Sequence, residues 1–505
     1  MKMAKKFVGM ISVILVLLLA VYLSGCNNGN KNSQTPTQAA DDGNSPSDSA
    51  EEAEQVPEAR IPTGLPVNDY GGYEFTIMSR SEQYSIYWYA RDISVEEENG
   101  DALNDAIYRR NQRIEEEYNI IIKEMALNGN FYNTARKSIS AGDDEYDLFC
   151  VSIGEIGSMA QGKLLYDFCE IPYVDLDRPW WDPKAKTELK LANKLYFTMN
   201  DFTFVDKDAT WIMLFNKDLI QSLALENPYK LVEENKWTLD KLIEMMKTAP
   251  ADINGDGIWD EFDQYGLVSQ KGTNGSAFFS GAGESMVNLD KDGMPYIAMM
   301  NDRAMDVFNK IVEIQSMKNV TIHADDYSGK YADVWDDMQL RVFAENRGLF
   351  YYTNALRITS LRSRDTNFGI LPCPKYDSAQ PDYHHLVDTW CATNVAVPAI
   401  ASDIERTGII LEALTAESHY TVIPAYYDIN IKTKLSRDEE SKVTLDLIFS
   451  TRRFDYGMIY DWGNMRSIFD TLPPKGDTGF ASEYEKRLKT MESAMEKTIT
   501  AFMED

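Results

Sequence analysis

The chain has 505 residues and carries 80 acidic against 50 basic side chains, which gives a formal net charge of −30 at pH 7. Such an acidic surface repels phosphate backbones, so the composition argues against nucleic acid as a partner. With 44% hydrophobic and 11% aromatic residues, the chain can bury a large core. At this length we expect the fold to divide into two lobes or domains.

The first 25 residues have the pattern of a secretory signal. Basic residues near the start precede an apolar run over residues 7–22, and a Ser-Gly pair stands directly before Cys26. This order resembles the lipobox of bacterial lipoproteins, in which cleavage precedes the cysteine and lipid is attached to it. We predict a signal peptide over 1–25, lipidation at Cys26, and an extracytoplasmic protein anchored to the cell membrane. The alternative is an ordinary N-terminal membrane anchor, but the apolar run is shorter than the roughly 20 residues of a spanning helix.

A polar stretch follows the cysteine. It is dominated by Asn, Ser, Pro, Asp and Glu, and it has one valine and no aromatic residue up to residue 59. Such a composition buries too little apolar surface to offset the entropy of ordering. We therefore predict a disordered tether over 26–68 and folded sequence from 69.

Strand patterns and helix patterns alternate from residue 69 onward. The predicted strands are 73–79, 120–127 and 146–152, and the predicted helices are 102–119, 133–142 and 154–162. This alternation predicts a parallel sheet covered by helices. Sheets of this kind bind ligands outside the carboxyl ends of their strands.

A second region adds further elements. Residues 209–223 are predicted to be a strand that runs into a helix capped by Asn216, and Thr238 is the expected N-cap of the next helix. A hairpin over 286–300, a helix over 302–317 and strands over 347–353, 368–374 and 386–398 follow, and the chain is mostly helical from residue 402.

The elements resemble a known family in their order and in several segments. These segments include the helix over 102–119, Pro-Trp-Trp-Asp at 179–182, and the stretches 194–202, 424–441 and 445–457. They resemble the extracellular solute-binding proteins, above all the large type that serves carbohydrate-linked ABC importers in Gram-positive bacteria. The resemblance covers nearly the whole chain from about residue 70.

The resemblance implies a two-lobed α/β fold like that of periplasmic binding proteins, with a ligand cleft between the lobes and a helical C-terminal region. One lobe is expected over about 69–205 and 355–400 plus the C-terminal helices, and the other over about 206–354. It further implies a monomer that captures a carbohydrate, an oligosaccharide in size, for an ABC importer permease. The alternatives are the same fold binding a peptide or another organic solute, and a surface carbohydrate-active enzyme.

Residues 252–263, Asp-Ile-Asn-Gly-Asp-Gly-Ile-Trp-Asp-Glu-Phe-Asp, have the spacing of an EF-hand-type calcium loop. Oxygen ligands are predicted from Asp252, Asn254, Asp256, the backbone carbonyl of Ile258, Asp260 and Asp263, with Gly257 at the sharp turn. A calcium sensor needs paired loops, and one is present. We therefore predict structural calcium as the cofactor, and a plain Asp/Asn/Gly turn is the alternative.

Sequence motifs for catalysis are missing. The chain has four histidines and contains neither the HExxH nor the GxSxG pattern, and a GxxxxGK match at 157–163 lacks the following Ser or Thr. A pair of carboxylates for glycoside hydrolysis is set in space rather than in sequence, and no pair stands out. We therefore predict a binding protein without catalytic residues.

The ligand candidates combine aromatic rings with carboxylates, because sugars stack their C–H faces on rings and offer their hydroxyls to acids. They are Asp208, Trp211, Tyr351, Asp388, Trp390, Tyr426, Tyr427 and Trp462. Each ring alone is more typical of a core. As a set near the expected lobe edges, some of them are expected to line the cleft, whereas Trp180 and Trp181 are predicted core residues.

Four cysteines remain besides Cys26. An even number outside the membrane allows two disulfides. Cys150 and Cys391 lie in apolar, strand-like runs, where a free thiol behaves as a small hydrophobic group. We expect buried thiols.

Overall fold

The structure is a computed structural model that describes residues 59–361, 363–427 and 439–504. The predicted signal peptide, Cys26 and most of the predicted tether lie outside these residues. From Arg60 onward the chain forms one compact unit, and the Arg60 guanidinium pairs with Glu417 at 2.6 Å. The folded body therefore begins ahead of the predicted start at residue 69. No helix within the described ranges is long and apolar enough to cross a membrane.

Strands of two main sheets and two small ones alternate with helices along the chain. In chain order the strands are β1 (Tyr73–Arg80), β2 (Ile120–Leu127), β3 (Leu148–Ser152), β4 (Trp211–Asn216), β5 (Tyr265–Ser269), β6 (Val287–Leu289), β7 (Pro295–Ile297), β8 (Thr321–His323), β9 (Gly348–Asn354), β10 (Phe368–Leu371), β11 (His385–Leu386), β12 (Thr393–Ala396) and β13 (Arg452–Arg453).

Helices fill the intervals between strands and most of the C-terminal region. They are α1 (Ala102–Tyr118), α2 (Phe131–Ala141), α3 (Ile153–Gln161), α4 (Pro183–Glu188), α5 (Val205–Asp208), α6 (Lys217–Ser222), α7 (Pro228–Glu233), α8 (Leu239–Met246), α9 (Asn274–Gly281), α10 (Asp302–Ser316), α11 (Arg341–Ala344), α12 (Leu356–Ser360), α13 (Ile404–Tyr420), α14 (Val422–Ala425), α15 (Glu439–Ser450), α16 (Tyr456–Tyr460), α17 (Arg466–Thr471) and α18 (Phe480–Met503). A π-helix spans Trp335–Leu340, and short 3₁₀ helices span Phe168–Glu170, Ala324–Tyr327, Trp462–Asn464 and Pro473–Lys475.

Capping side chains begin two helices where the sequence predicts it. Asn216 accepts a hydrogen bond from the backbone N–H of Leu219 at 2.9 Å, and Thr238 accepts one from the N–H of Lys241 at 3.3 Å. Each cap satisfies a backbone donor that has no partner inside its helix. Both predicted caps are confirmed.

The first main sheet has the strand order β12-β3-β1-β2. Strand β1 runs parallel to β2 and to β3, with Tyr73 beside Ile120 and Ile77 beside Leu148. Strand β12 is antiparallel to β3 and closes the opposite edge. The parallel strands are joined through helices, as the alternating pattern predicts.

The second main sheet has the order β10-β4-β9-β5-β8. Strand β5 runs parallel to β8 and β9, whereas β4 is antiparallel to both β9 and β10. Strand β10 falls within 355–400, which the sequence analysis assigned to the first lobe, yet it pairs with the second sheet. The chain crosses into the second sheet before β4 and returns after β10. The two segments that connect the sheets lie side by side, as shown by the hydrogen bond from the N–H of Asp388 to the carbonyl of Ala209 at 3.0 Å.

The predicted long strand over 386–398 is wrong. It divides into β11 and β12, with a turn over 388–391 between them. The carboxylate of Asp388 accepts hydrogen bonds from the N–H groups of Trp390 at 3.0 Å and Cys391 at 3.3 Å. An aspartate that bonds the backbone two and three residues ahead favours a turn over a continuing strand.

Trp180 and Trp181 are buried, as predicted, with 1% and 2% of their surface exposed. Both indole N–H groups donate to the carboxylate of Glu412, at 2.8 and 2.9 Å. Burial raises the pKa of Glu412 to about 7, and the two indole hydrogen bonds oppose the rise. The segment is therefore tied to α13 by a shared acceptor inside the core.

The four cysteines of the described body are free thiols. Cys150, Cys373 and Cys391 are buried, and Cys169 is exposed. The expectation of buried thiols is confirmed for three of the four.

Candidate functional site

A cavity of about 810 Å³ lies at the carboxyl ends of parallel strands from both main sheets. The segment 83–88 after β1 lines it on one side. Gln270 and Thr273 after β5, with Thr353 and Asn354 at the end of β9, line it on the other. Open α/β sheets bind ligands in this position, because loops from several strand ends converge there.

The turn over 388–391 presents a tryptophan to this cavity. Trp390 is 51% exposed, and its ring centroid lies 6.3 Å from that of Tyr84, with 32° between the planes. The buried Arg80 at the end of β1 donates to the carbonyls of Trp390 at 3.0 Å and Cys391 at 2.6 Å. Asp388 holds the N–H groups of the turn and Arg80 holds its carbonyls, so the exposed ring stands on a fixed backbone.

Trp211, at the start of β4, also lines the cavity but is only 1% exposed. Its ring lies against Tyr352 with centroids 5.4 Å apart. Its indole Nε1 is sealed from solvent and has no hydrogen-bond partner among the described residues. A buried donor without a partner costs roughly 1–3 kcal/mol, and a ligand would bond this N–H only after a movement that opens it to the cavity.

Two further cavity residues carry buried polar atoms without partners in the described ranges. Asn354 stands opposite Trp211 in the β4–β9 ladder, and its Oδ1 has no donor. Gln339, on the π-helix, accepts from the hydroxyl of Tyr351 at 3.2 Å, while its Nε2 is unpaired. Together with Trp211 they form a floor of neutral donors and acceptors. π-Helical turns occur frequently at functional sites.

Side chains also meet across the cavity. The hydroxyl of Tyr87, after β1, donates to Asp333, which precedes the π-helix. The guanidinium of Arg357 lies 4.7 Å above the ring of Tyr87 and pairs with Asp336. Burial and the hydrogen bond to Asp333 raise the pKa of Tyr87, which keeps the hydroxyl a donor. This contact joins the two sides of the cavity.

Arg466, on α17, lines the cavity. Its backbone N–H donates to Asp461 at 2.9 Å, and its guanidinium forms no hydrogen bond or ion pair with a described residue. Carboxylates lie nearby. Burial raises the pKa of Asp470 to about 6, and the charge of Arg466 opposes that rise. The rim of the cavity at Arg466 is therefore polar and charged, in contrast to the neutral floor.

The structure thus brings three of the eight ligand candidates, Trp211, Asp388 and Trp390, to one cavity. It places the other five elsewhere. Asp208 is buried, pairs with Arg91 and accepts from the hydroxyl of Tyr426 at 2.8 Å. Asp208 and Tyr426 are therefore hydrogen-bonded to each other inside the protein and do not face the cavity.

The remaining three candidates have packing partners of their own. Tyr351 is fully buried in β9, and Trp462 is 2% exposed and donates its Nε1 to Thr498 at 2.8 Å. Tyr427 lines a separate cavity of about 280 Å³. Aromatic rings dominate cores because they bury much apolar surface, which is why their sequence positions alone did not place them.

Sequence reasoning missed Tyr87, Tyr331, Asp333, Trp335 and Gln339, which line the cavity. Only the segment around Tyr87 carried a signal. Its aromatic residues follow β1 directly, at the carboxyl end of a parallel strand, where ligand-binding loops are expected. Tyr331 and Asp333 lie just before the π-helix, and Trp335 and Gln339 lie on it, and none of the four belongs to a recognisable sequence pattern.

The predicted calcium loop closes on itself through backbone hydrogen bonds. Asp252 accepts from the N–H groups of Gly255 at 2.7 Å and Gly257 at 2.9 Å, and both glycines have positive φ. The buried Asp263 accepts from Ile253 at 3.2 Å and from Asp260 at 3.0 Å. Carboxylate, amide and carbonyl oxygens are the ligands that calcium takes, so the donor chemistry fits. No group of three or more His, Cys, Asp or Glu side chains in the described body is arranged to hold a metal ion.

No protein-family model matches the chain, and no curated protein matches it in sequence. Solved structures do. An ABC substrate-binding protein from Listeria monocytogenes in complex with cycloalternan is similar, at 13% identity and a TM-score of 0.53, over 85% of this chain and 98% of that chain. A cyclo/maltodextrin-binding protein complexed with maltotetraose is similar at 14% identity and a TM-score of 0.53, over 85% and 96% of the two chains.

The maltose/maltodextrin-binding domain from Bdellovibrio bacteriovorus, bound to maltotriose, is similar at 15% identity and a TM-score of 0.50, over 85% of this chain and all of that one. At such identities the likeness shows the fold. The predicted two-lobed, periplasmic-binding-protein-like α/β fold is therefore confirmed.

Proposed function

We propose that the chain is the substrate-binding protein of an ABC importer and that it captures an oligosaccharide in the cavity between its two sheets. The observation that carries the proposal is the half-exposed ring of Trp390, fixed on a crossing turn at the cavity. An exposed, rigid indole offers a flat apolar face at low entropic cost, and the C–H face of a sugar ring is its complement.

The floor of the cavity supports the same ligand class. The unpaired polar atoms of Trp211, Gln339 and Asn354 include donors and an acceptor, and sugar hydroxyls would satisfy both once side-chain movement on binding opens these atoms to the cavity. A site built with buried polar groups favours ligands that bond them, because any other ligand leaves them unpaired. The solved structures of similar fold contain cycloalternan, maltotetraose and maltotriose, which supports oligosaccharides of several units.

Capture follows from the geometry of the two lobes. A ligand that contacts Trp390 and the floor of the second sheet touches both sides of the cleft, and such a ligand favours closure. The contact of Tyr87 with Asp333 and Arg357 already joins the two sides. The closed form is the one that the importer permease would receive.

Binding rather than hydrolysis is proposed because the two cavity carboxylates are occupied. Asp388 accepts backbone hydrogen bonds from its own turn. Asp333 accepts from Trp335 at 3.0 Å, from Asp336 at 3.3 Å, and from Tyr87. Both carboxylates act as structural acceptors. Release of shorter sugars from a bound oligosaccharide would contradict this assignment.

A charged solute is a second candidate, and Arg466 favours it. Its guanidinium lines the cavity without a partner among the described residues. Guanidinium groups bind carboxylates through paired hydrogen bonds. An acidic sugar or the C-terminus of a peptide would supply the carboxylate.

The test is a calorimetric panel of maltotetraose, a cyclic dextrin, a neutral β-linked tetrasaccharide, a trigalacturonate and a tetrapeptide. We expect a neutral oligosaccharide to bind, and Trp390→Ala to cost more than about 2 kcal/mol, or over tenfold in Kd. The control is Tyr296→Ala, because Tyr296 is comparably exposed at 47% but lies on β7. If only the trigalacturonate or the peptide binds, the proposed ligand class is wrong. If Trp390→Ala and Tyr296→Ala bind the oligosaccharide equally well, Trp390 is not part of the binding site.

We also propose that the protein is extracytoplasmic and anchored through a lipid on Cys26. The Ser-Gly-Cys sequence at 24–26 after an apolar run supports the proposal. Labelled fatty acid should enter the wild-type protein, and Cys26→Ala should abolish the label. Label retained by the alanine variant would refute the anchor.

The loop over 252–263 is proposed to hold structural calcium, on the strength of its oxygen donors and its turn at Gly257. An extracellular-type site with a Kd of about 10⁻⁴–10⁻³ M would stabilise the fold by about 1–2 kcal/mol at millimolar calcium. Chelation should therefore lower the melting temperature, and Asp252→Ala should remove that response. A melting curve that chelator leaves unchanged would refute the site.

A further inference from the structure

One wall of the cavity is a segment that belongs to neither main sheet. We call residues 328–335 the wall segment. It runs between the 3₁₀ helix Ala324–Tyr327 and the π-helix Trp335–Leu340 and forms no strand. Most of its residues line the cavity, namely Ser328, Tyr331, Ala332, Asp333, Val334 and Trp335. No strand ladder holds the segment. Its position depends on turn hydrogen bonds, such as those from the N–H groups of Lys330 at 2.8 Å and Tyr331 at 3.3 Å to the carbonyl of Tyr327, and on side-chain contacts.

One of these contacts comes from the loop over 252–263, which we call the acidic loop. Glu261 is fully buried, and its Oε1 accepts hydrogen bonds from the ammonium of Lys330 and from the hydroxyl of Tyr331, the latter at 2.5 Å. The oxygen of Tyr331 in turn accepts from Arg341 at 2.9 Å. Lys330 also lies 5.4 Å above the ring of Phe262. Glu261 and Phe262 of the loop thus contact Lys330 and Tyr331 of the wall segment.

Glu261 pairs with a cation in this position, because its Oε1 and the ammonium of Lys330 form an ion pair. A charge-assisted hydrogen bond is roughly twice as strong as a neutral one. The Asp and Asn side chains of the loop bond backbone groups of the loop itself, whereas the Glu261 carboxylate bonds the wall segment.

We propose that Glu261 is a positioning residue for the ligand: through Lys330 and Tyr331 it fixes the wall segment in the place where Tyr331 lines the cavity. The inference rests on the proposed function, because it concerns the same cavity. A wall held in its bound position before the ligand arrives saves the entropy of ordering it on binding. The acidic loop would then support the binding site as well as the fold.

The experiment compares Glu261→Gln, Tyr331→Phe and the double variant with wild type in two measurements, at one fixed calcium concentration. Hydrogen–deuterium exchange of the ligand-free protein reports on the wall segment, and calorimetry gives the Kd of maltotetraose or of the panel oligosaccharide that the wild type binds. Glu313→Gln is the control. Glu313 also pairs with a lysine, Lys247, at 2.8 Å, but it lies on the surface and is not among the residues that line this cavity.

We expect Glu261→Gln to speed exchange in the wall segment and to raise Kd about fivefold to thirtyfold. Tyr331→Phe keeps the ring but loses the hydrogen bond, so the double variant should be little worse than Glu261→Gln alone. Glu313→Gln should change neither measurement. Additive losses, an unchanged Kd, or equal losses in the control would overturn the proposal.

Failure of the proposed function gives a different result. If the wild type binds no oligosaccharide of the panel, the ligand class is wrong, and the exchange measurement alone decides whether Glu261 holds the wall. Faster exchange confined to the wall segment supports the attachment, and unchanged exchange overturns it.

Discussion

Two short stretches of the chain place tryptophan close to an aspartate, and they differ in whether the tryptophan rings are buried. At 179–182 both indoles are buried, and they donate to Glu412, which lies more than two hundred positions away in sequence. At 388–391 the aspartate bonds its own turn, and Trp390 is left half exposed at the cavity. Both aspartates accept hydrogen bonds from backbone N–H groups two and three residues ahead. The difference lies in the indoles, because the buried pair has a distant acceptor in Glu412, whereas Trp390 faces the cavity.

The largest expected effect separates the two stretches by stability. Trp181→Ala should lower the free energy of unfolding by about 3–5 kcal/mol, because it opens a cavity and removes an indole donor from Glu412. Trp390→Ala should change it by less than about 1 kcal/mol, since its ring is half in water. Urea unfolding measures both. Comparable destabilisation by the two variants would show that Trp390 is a core residue after all.

The acceptor of the buried stretch gives the second test. The pKa of Glu412 is about 7 in the folded protein against about 4.3 in an unfolded chain. The folded state therefore binds the proton more tightly, and this group's contribution to stability is full below the unfolded pKa and is lost as pH rises through about 7.

Glu412→Gln should flatten this loss, so melting temperatures measured from pH 5 to 8 should fall less steeply in the variant than in the wild type. Other buried carboxyls with raised pKa values, such as Asp147 and Asp470 at about 6, contribute to both proteins alike. Parallel pH profiles would show that Glu412 does not carry the shift.

The acceptor of the exposed stretch gives the smallest expected effect. Asp388→Ala leaves the N–H groups of Trp390 and Cys391 without their acceptor and should cost about 1 kcal/mol of stability. It should also weaken oligosaccharide binding severalfold, because the ring of Trp390 is no longer held. Asp388→Asn keeps an acceptor oxygen and should restore both properties. An asparagine variant as weak as the alanine variant would point to a direct contact of the carboxylate with the ligand.

Local sequence patterns were sufficient for most of the regular elements. The strand Ile120–Leu127, the hairpin of β6 and β7, and the helices begun by Asn216 and Thr238 lie where their patterns predict. Such features are set by side chains a few residues apart, through alternation, turn chemistry and capping. Their alternation predicted a parallel sheet covered by helices, and the resemblance to solute-binding proteins implied the two-lobed α/β fold.

The site was only partly accessible to the same reasoning. Trp211, Asp388 and Trp390 reach the cavity, but Tyr351 and Trp462, which have the same local character, pack into the core. Whether a ring is buried depends on which segment covers it, and that segment is usually distant in sequence. The break within 386–398 was missed because an apolar run does not reveal that Asp388 will bond its own backbone.

What the sequence alone determined is therefore the set of elements and their order, since both depend on neighbouring residues. The tertiary structure decided which carboxylates and rings meet. Glu261 accepts hydrogen bonds from Lys330 and Tyr331, Glu412 accepts them from the tryptophan pair, and β10 pairs with the second sheet. These contacts bring together residues far apart in the chain, and their energies come from burial and from hydrogen bonds made in low dielectric. No local pattern encodes such a pairing, because the sequence around each residue would be the same if that residue contacted a different distant partner.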